Sequence, residues 1–188
     1  MLVRLLNTLA IAWPVSEVIL ALLSRTKRAS ATVRDRGSLT LIWISIGAGL
    51  WAGYFLRSRG VGSIGAPPAV FLSVALALLA SGLVLRWTAV LVLGRLFTPN
   101  VAVLPGQRVI RRGVYRYIRH PAYSGLLLAV LGIGVAFDNW LSLLAILIPV
   151  AAALLYRIWV EESALVEILG REYDDYRKVT KRLVPGVY

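Results

Sequence analysis

Residues 113–125 read GVYRYIRHPAYSG and hold the chain's only histidine, His120, among Tyr115, Arg116, Tyr117, Arg119 and Tyr123. Proline drives the residue before it out of the helical region, so His120 ends a loop and Pro121 begins a helix. The apolar run that follows, residues 123–136, carries no charge. A cationic loop feeding directly into an apolar helix is the pattern of a membrane boundary.

The rest of the chain repeats that pattern. Its 188 residues are 59% hydrophobic, more apolar surface than a soluble core of this size can hide. Five apolar runs fall at residues 5–23, 39–56, 69–93, 123–136 and 141–159. A span needs about 20 apolar residues, and the fourth run is short by that count. Only residues 137–140 separate it from the fifth, which predicts a tight helical hairpin. The expected fold is all-α and integral to the membrane, with about five transmembrane helices. No small-residue cleavage pattern follows the first run, so it reads as a retained span rather than a signal peptide.

The basic residues are placed as topology requires. Arg25, Lys27, Arg28, Arg34 and Arg36 follow the first run. Arg95, Arg108, Arg111, Arg112, Arg116 and Arg119 follow the third; Arg171, Arg177, Lys178, Lys181 and Arg182 follow the fifth. The opposite loops carry only Arg57 and Arg59 on one side and Asp138 on the other. The positive-inside rule then puts the N-terminus outside and the C-terminus in the cytoplasm, with the 113–125 loop, the region of Arg157 and the tail on one face. The net charge of +12 is explained by topology, and no recognition helix or stacking sheet for nucleic acid is visible.

With no cysteine and one histidine, zinc-thiolate and multi-histidine metal sites are excluded, as is a thiolate nucleophile. Pro99, Pro105, Gly106 and Gly113 break the segment before His120 into a structured loop at the membrane surface. Beyond Trp159, the apolar positions Val160, Leu165, Ile168, Leu169, Tyr173 and Tyr176 mark an amphipathic helix. Pro185 is its latest possible end. Asp174 and Lys178 stand four apart and are expected to pair.

Two places carry candidate chemistry. The start of the fourth helix, with free N–H groups beside Arg119 and a ring and hydroxyl from Tyr123, suits an anionic group; Gly125 admits a close approach. An interfacial cap meeting lipid phosphates fits the same pattern. The second place is Arg157 with Glu161 and Glu162, where the fifth run leaves the bilayer and charge is costly. An interfacial Arg157–Glu161 salt bridge is the plainer alternative. Glu162 lies about 140° around an ideal helix from Arg157, so both line one cavity only if it is broad. Glu17 and Arg86, inside the first and third runs, are expected to pair, the alternative being that Arg86 lines a substrate cavity. Gly132 and Gly134 read as helix-packing residues, and the six tryptophans as interface anchors.

The stretch GVYRYIRHPAYSG, a helical hairpin, and then RIWVEESALVEILGREYDDYRKVTKRLVP resemble the catalytic core of the isoprenylcysteine carboxyl methyltransferase family. That family shares an RHPxYxG signature, a Glu-Glu pair and a GxxYxxY helix. The likeness spans about residues 104–185 and implies a cytosolic loop binding S-adenosylmethionine, with S-adenosylhomocysteine as product. On it, Arg119, His120, Pro121, Tyr123, Gly125 and Glu161 form the cofactor wall; Arg157 and Glu162 match the catalytic pair. Arg86 is the candidate substrate contact.

The implied organisation is a single domain over residues 1–188, with three N-terminal spans in 1–93 and the catalytic core in 94–188. The implied reaction is carboxyl O-methylation of an isoprenylcysteine-like or other lipophilic carboxylate entering from the bilayer. Membrane lipids are the other expected partner, and the expected location is a prokaryotic inner membrane. Phospholipid N-methylation, thiol S-methylation and a non-enzymatic scaffold remain alternatives. Arg157 leans toward an anionic acceptor, because an amine must be neutral to attack and is better served by a carboxylate base.

Overall fold

The computed structural model describes residues 1–23, 32–33, 35–103 and 108–188. Arg25, Lys27, Arg28, Arg34, Pro105 and Gly106 lie outside the described residues. Six helices follow in order: α1 Leu2–Leu23, α2 Ser38–Ser58, α3 Pro68–Leu93, α4 Pro121–Val135, α5 Trp140–Leu169 and α6 Arg171–Val179. Short 3-10 turns occupy Gly94–Leu96 and Gly113–Arg116. A two-residue antiparallel ladder, β1 Thr32–Val33 with β2 Ala102–Val103, ties the loops after α1 and α3 together.

Helix ends follow from local chemistry. Pro121 sits in the first turn of α4 behind a non-helical His120 at φ −122°, where its missing N–H costs nothing. Asn139 caps α5 by accepting the Ser142 N–H at 2.9 Å. Between Trp159 and Gly170 no residue breaks helix, so α5 runs on for 30 residues. The amphipathic segment expected after Trp159 is therefore a continuation of the fifth span. It ends at Gly170, whose φ of 51° suits a residue without a Cβ.

Helix α6 stops at Val179, before Pro185, because Thr180 turns extended and the chain runs beside the motif loop. Arg119 N–H donates to Lys181 O at 2.8 Å and His120 N–H to Arg182 O at 3.0 Å. The ion pairs on α6 are Asp174 with Arg177 and Asp175 with Lys178, three apart, rather than Asp174 with Lys178.

Helices α1, α2, α3 and α5 are long and apolar enough to cross a membrane. Helix α4, with 15 residues, rises only about 22 Å. Within lipid, helices associate by close van der Waals packing at small residues. A Cβ added to Gly125 would lie 2.5 Å from Gly82 O and 2.6 Å from Arg86 N, and one on Gly132 2.6 Å from Leu79 N. Helices α3 and α4 are thus in backbone contact. Gly49 and Gly53 bring α2 close to Ile146 of α5, where added Cβ atoms would lie 2.9 Å from its Cα and 3.0 Å from its Cδ1. Trp13, Ile42, Leu126, Val130, Ile146 and Leu154 form the main core. Trp13 is buried there rather than anchored at an interface, whereas Trp51, Trp140 and Trp159 are exposed.

The two ends of the bundle differ. At one end the turn after α4 grips the α2–α3 loop: Asn139 Nδ2 donates to Val61 O at 2.7 Å and Trp140 N–H to Gly62 O at 3.0 Å. The opposite end gathers the cationic loops and the tail, and there the clefts lie.

Candidate active site

Helices α3, α4 and α5 bring the sequence-selected residues to one end of the bundle, where two adjoining cavities open. The larger has a volume of about 120 Å³ and is bordered by Arg119, His120, Tyr123, Arg157, Glu161 and Tyr173. The smaller, of about 50 Å³, lies among Trp13, Ile42, Ile46 and Leu126, with Glu17 and Arg86 also in its wall. Phe97, Thr98, Tyr123 and Arg157 border both. A cleft of mixed lining, the more polar of the two, and a more apolar one therefore meet at a guanidinium.

Arg157 is held on every edge. Its Nε–H donates to Tyr123 Oη at 2.8 Å, and Nη1 donates to Asp35 Oδ1 at 2.6 Å and to Ser38 Oγ at 2.9 Å. Nη2 donates to the carbonyl of Pro99. Tyr123 Oη in turn donates to Glu161 Oε2 at 2.7 Å, so the tyrosine links the arginine to the first glutamate.

Glu162 faces away from that chain, as its angular offset on the helix requires. Its Oε1 accepts from Arg119 Nε at 2.8 Å and lies 3.2 Å from His120 Nε2; Oε2 accepts from Arg182 Nε at 3.1 Å. The expected Glu162–Arg157 partnership is absent from these contacts, and Glu162 does not border the polar cleft. Its carboxylate instead occupies the anion position expected beside Arg119 at the start of α4, tying α5 to the motif loop and the tail. His120 is buried under this pair, its ring stacked on Tyr123 at 5.5 Å between centroids.

Three further expectations are resolved. Pro121 and Gly125 do not border the cleft: Pro121 is fully buried at the helix start, and Gly125 faces α3. Both sit where packing needs them, at the start of α4 and against α3. Glu17 and Arg86 do pair, Arg86 Nη2 donating to Glu17 Oε2 at 2.6 Å. Arg86 also donates to Ala122 O at 3.2 Å, so the pair borders the apolar cavity while bracing α1, α3 and α4.

Sequence reasoning missed several residues here. Asp35 comes from the loop before α2, where it sat unremarked in a run of arginines. Burial raises its carboxyl pKa, but the Leu39 N–H, Arg157 and Ser38 outweigh this and hold it below the ordinary value of 3.8. Tyr173 was read as an apolar anchor; its hydroxyl is buried at the cleft with no hydrogen-bond partner among the described residues. Burial, with Glu162 and Glu161 near, pushes that phenol well above its ordinary range, so it is a neutral donor. Neighbouring Tyr176, raised by burial to about 12, donates to Tyr115 O at 2.6 Å.

The model of the Isoprenylcysteine carboxyl methyltransferase (ICMT) family matches residues 74–167. Protein-S-isoprenylcysteine O-methyltransferase B of Arabidopsis thaliana is 33% identical over 114 residues, 60% of this chain and 58% of its own. A probable protein-S-isoprenylcysteine O-methyltransferase of Oryza sativa subsp. indica is 37% identical over 116 residues, 61% of each chain. Among solved structures, the eukaryotic intramembrane Ras methyltransferase ICMT superposes with a TM-score of 0.62 at 26% identity, over 77% of this chain and 52% of that one. The match thus spans about three fifths of each of these two plant relatives and half of the structural one.

Proposed function

Since the chain belongs to the isoprenylcysteine carboxyl methyltransferase family, we propose that it is a membrane methyltransferase that esterifies the carboxylate of a lipophilic, isoprenylcysteine-like acceptor, with S-adenosylmethionine as donor. The carrying observation is the meeting of a more polar and a more apolar cavity at Arg157 and Tyr123. The larger cleft is the donor site and faces the cytoplasm. The smaller one, walled by α1, α2 and α4, is the acceptor site, reached from the bilayer. Residues 1–93 and 94–188 then act as one domain.

The residues present fit such a donor. The polar cleft offers the uncommitted hydroxyl of Tyr173 and the carboxylate of Glu161, whose side chain is 31% exposed and faces a cation readily. Leu165 and Leu169 add an apolar wall. S-adenosylmethionine, when bound, supplies a methyl group on a cationic sulfur that is open to displacement.

The chain's own part is positioning and charge. Arg157 holds the acceptor carboxylate at the junction, where its permanently charged guanidinium, anchored at several N–H groups, presents a fixed cation. Tyr123 and Glu161 fix the angle of that guanidinium. An anion and a cation lose charge together in the displacement, so walls that exclude water lower the barrier relative to the separated ions. Glu162, with Arg119, His120 and Arg182, anchors the motif loop and tail that close the donor cleft.

Calorimetry on the purified protein tests the donor assignment. Wild type binds S-adenosylmethionine, and His120→Ala and Glu161→Ala weaken it. A folded wild-type protein that takes up no S-adenosylmethionine contradicts the proposal.

A further inference from the structure

Resting on that function, we infer that Asp35, with Ser38, is a positioning residue that fixes Arg157 so that a single N–H remains for the acceptor carboxylate. An arginine has five N–H donors. Four of those of Arg157 are engaged by Tyr123, Asp35, Ser38 and Pro99. The remaining one is on Nη2. Arg157 therefore meets its acceptor end-on through one charge-assisted bond, not through a two-pronged fork.

The hold is rigid rather than a gate. Asp35 is itself fastened at the start of α2: its Oδ2 accepts from Leu39 N–H at 3.2 Å, and its Oδ1 accepts from Ser38 Oγ at 2.9 Å. Val101 N–H, from the segment after α3, approaches the same oxygen at 3.4 Å. Asp35 thus ties the loop after α1, the loop after α3 and α5 together at the guanidinium. Both Asp35 and Ser38 lie outside the residues 74–167 that match the family, so this brace is contributed by the N-terminal part of this chain.

A fixed arginine has a kinetic signature. Freed from Asp35, the guanidinium gains a second N–H for the carboxylate but loses its orientation. Acceptor affinity then holds or improves while the chemical step slows. Asp35→Asn is the probe, because the amide oxygen keeps the bond from Leu39 N–H while removing the charge. Ser38→Ala, which keeps the Asp35 charge and its bonds from Leu39 N–H and Arg157, is the second variant and guards against misfolding of the first.

With donor saturating and a prenylated cysteine as acceptor, Asp35→Asn is expected to lower kcat at least tenfold, with an unchanged or lower acceptor KM and donor affinity within threefold of wild type. Ser38→Ala moves kcat the same way by a smaller factor. Wild-type kcat in a folded Asp35→Asn protein overturns the assignment, as does parallel loss of donor binding. Hydrogen exchange of the Arg157 Nε–H, followed by nitrogen-15 resonance, reports independently of turnover. Protection in wild type that falls in Asp35→Asn supports the brace even if no methyl transfer is found, and equal protection in both overturns it.

Discussion

Arg157 and Tyr123, 34 residues apart in the chain, share a hydrogen bond of 2.8 Å from Nε to the phenol, and the phenol donates its own O–H to Glu161 at 2.7 Å. One hydroxyl thereby serves as acceptor for a buried cation and donor to a carboxylate at the border of two cavities.

Tyr123→Phe removes that link without changing the ring. It leaves the Arg157 Nε–H unpaired in a buried site, a loss of about 1–3 kcal/mol. Turnover is expected to fall on the order of a hundredfold from misplacement of the guanidinium. Thermal unfolding and single-turnover rates measure the two effects separately.

Glu162→Ala leaves Arg119, His120 and Arg182 facing a buried gap. Removing one partner of a buried ion pair costs about 3–5 kcal/mol. The motif loop and tail should loosen together, so donor affinity and melting temperature fall more than turnover at saturating donor. Chemical denaturation and donor titration of the same preparation check this. A large drop in kcat with normal stability and donor binding would restore Glu162 to the reaction itself.

Gly125→Ala sets a methyl group against the backbone of α3, with Gly82 O and Arg86 N both within 2.6 Å of the new Cβ. Overpacking of this kind costs about 1–3 kcal/mol. Gly47→Ala, where nothing lies within 4 Å, should be neutral or stabilising by about 0.5–1 kcal/mol from helix propensity. Melting temperatures of the two variants in one detergent give the contrast.

Asp35 sets a pH dependence. Its folded carboxyl is held below the ordinary 3.8, against the effect of burial, by the Leu39 N–H, Arg157 and Ser38. The stabilisation is therefore complete above 3.8 and is lost as pH falls through the lower folded value. Acid titrations of stability should show wild type losing more than Asp35→Asn below that point, with parallel curves in the neutral range.

The apolar runs, the hairpin and the intramembrane charges Glu17 and Arg86 were legible from composition, while His120, Tyr123 and Arg157 were brought to one face by the charge bias of the loops and by the family resemblance. The Glu161–Glu162 pair was legible as a pair only. Adjacent helical residues point about 100° apart, and which one turns inward depends on where α2 and α4 pack on α5. Gly125 looked the same whether it made room for a ligand or for a helix; the structure shows the helix contact, with Gly82 O against it. Asp35 could not be read at all. It is 122 residues from Arg157, and only the fold closes that distance.

The most direct measurement is methyl transfer by the protein in liposomes, with donor labelled in its methyl group and a prenylated cysteine offered with a free carboxylate or as its amide. Wild type should label the carboxylate in a base-labile form that releases methanol, leave the amide untouched, and lose the activity in Arg157→Lys while still binding donor. Label in a base-stable form, or none from a protein that binds donor, would contradict carboxyl methylation at Arg157.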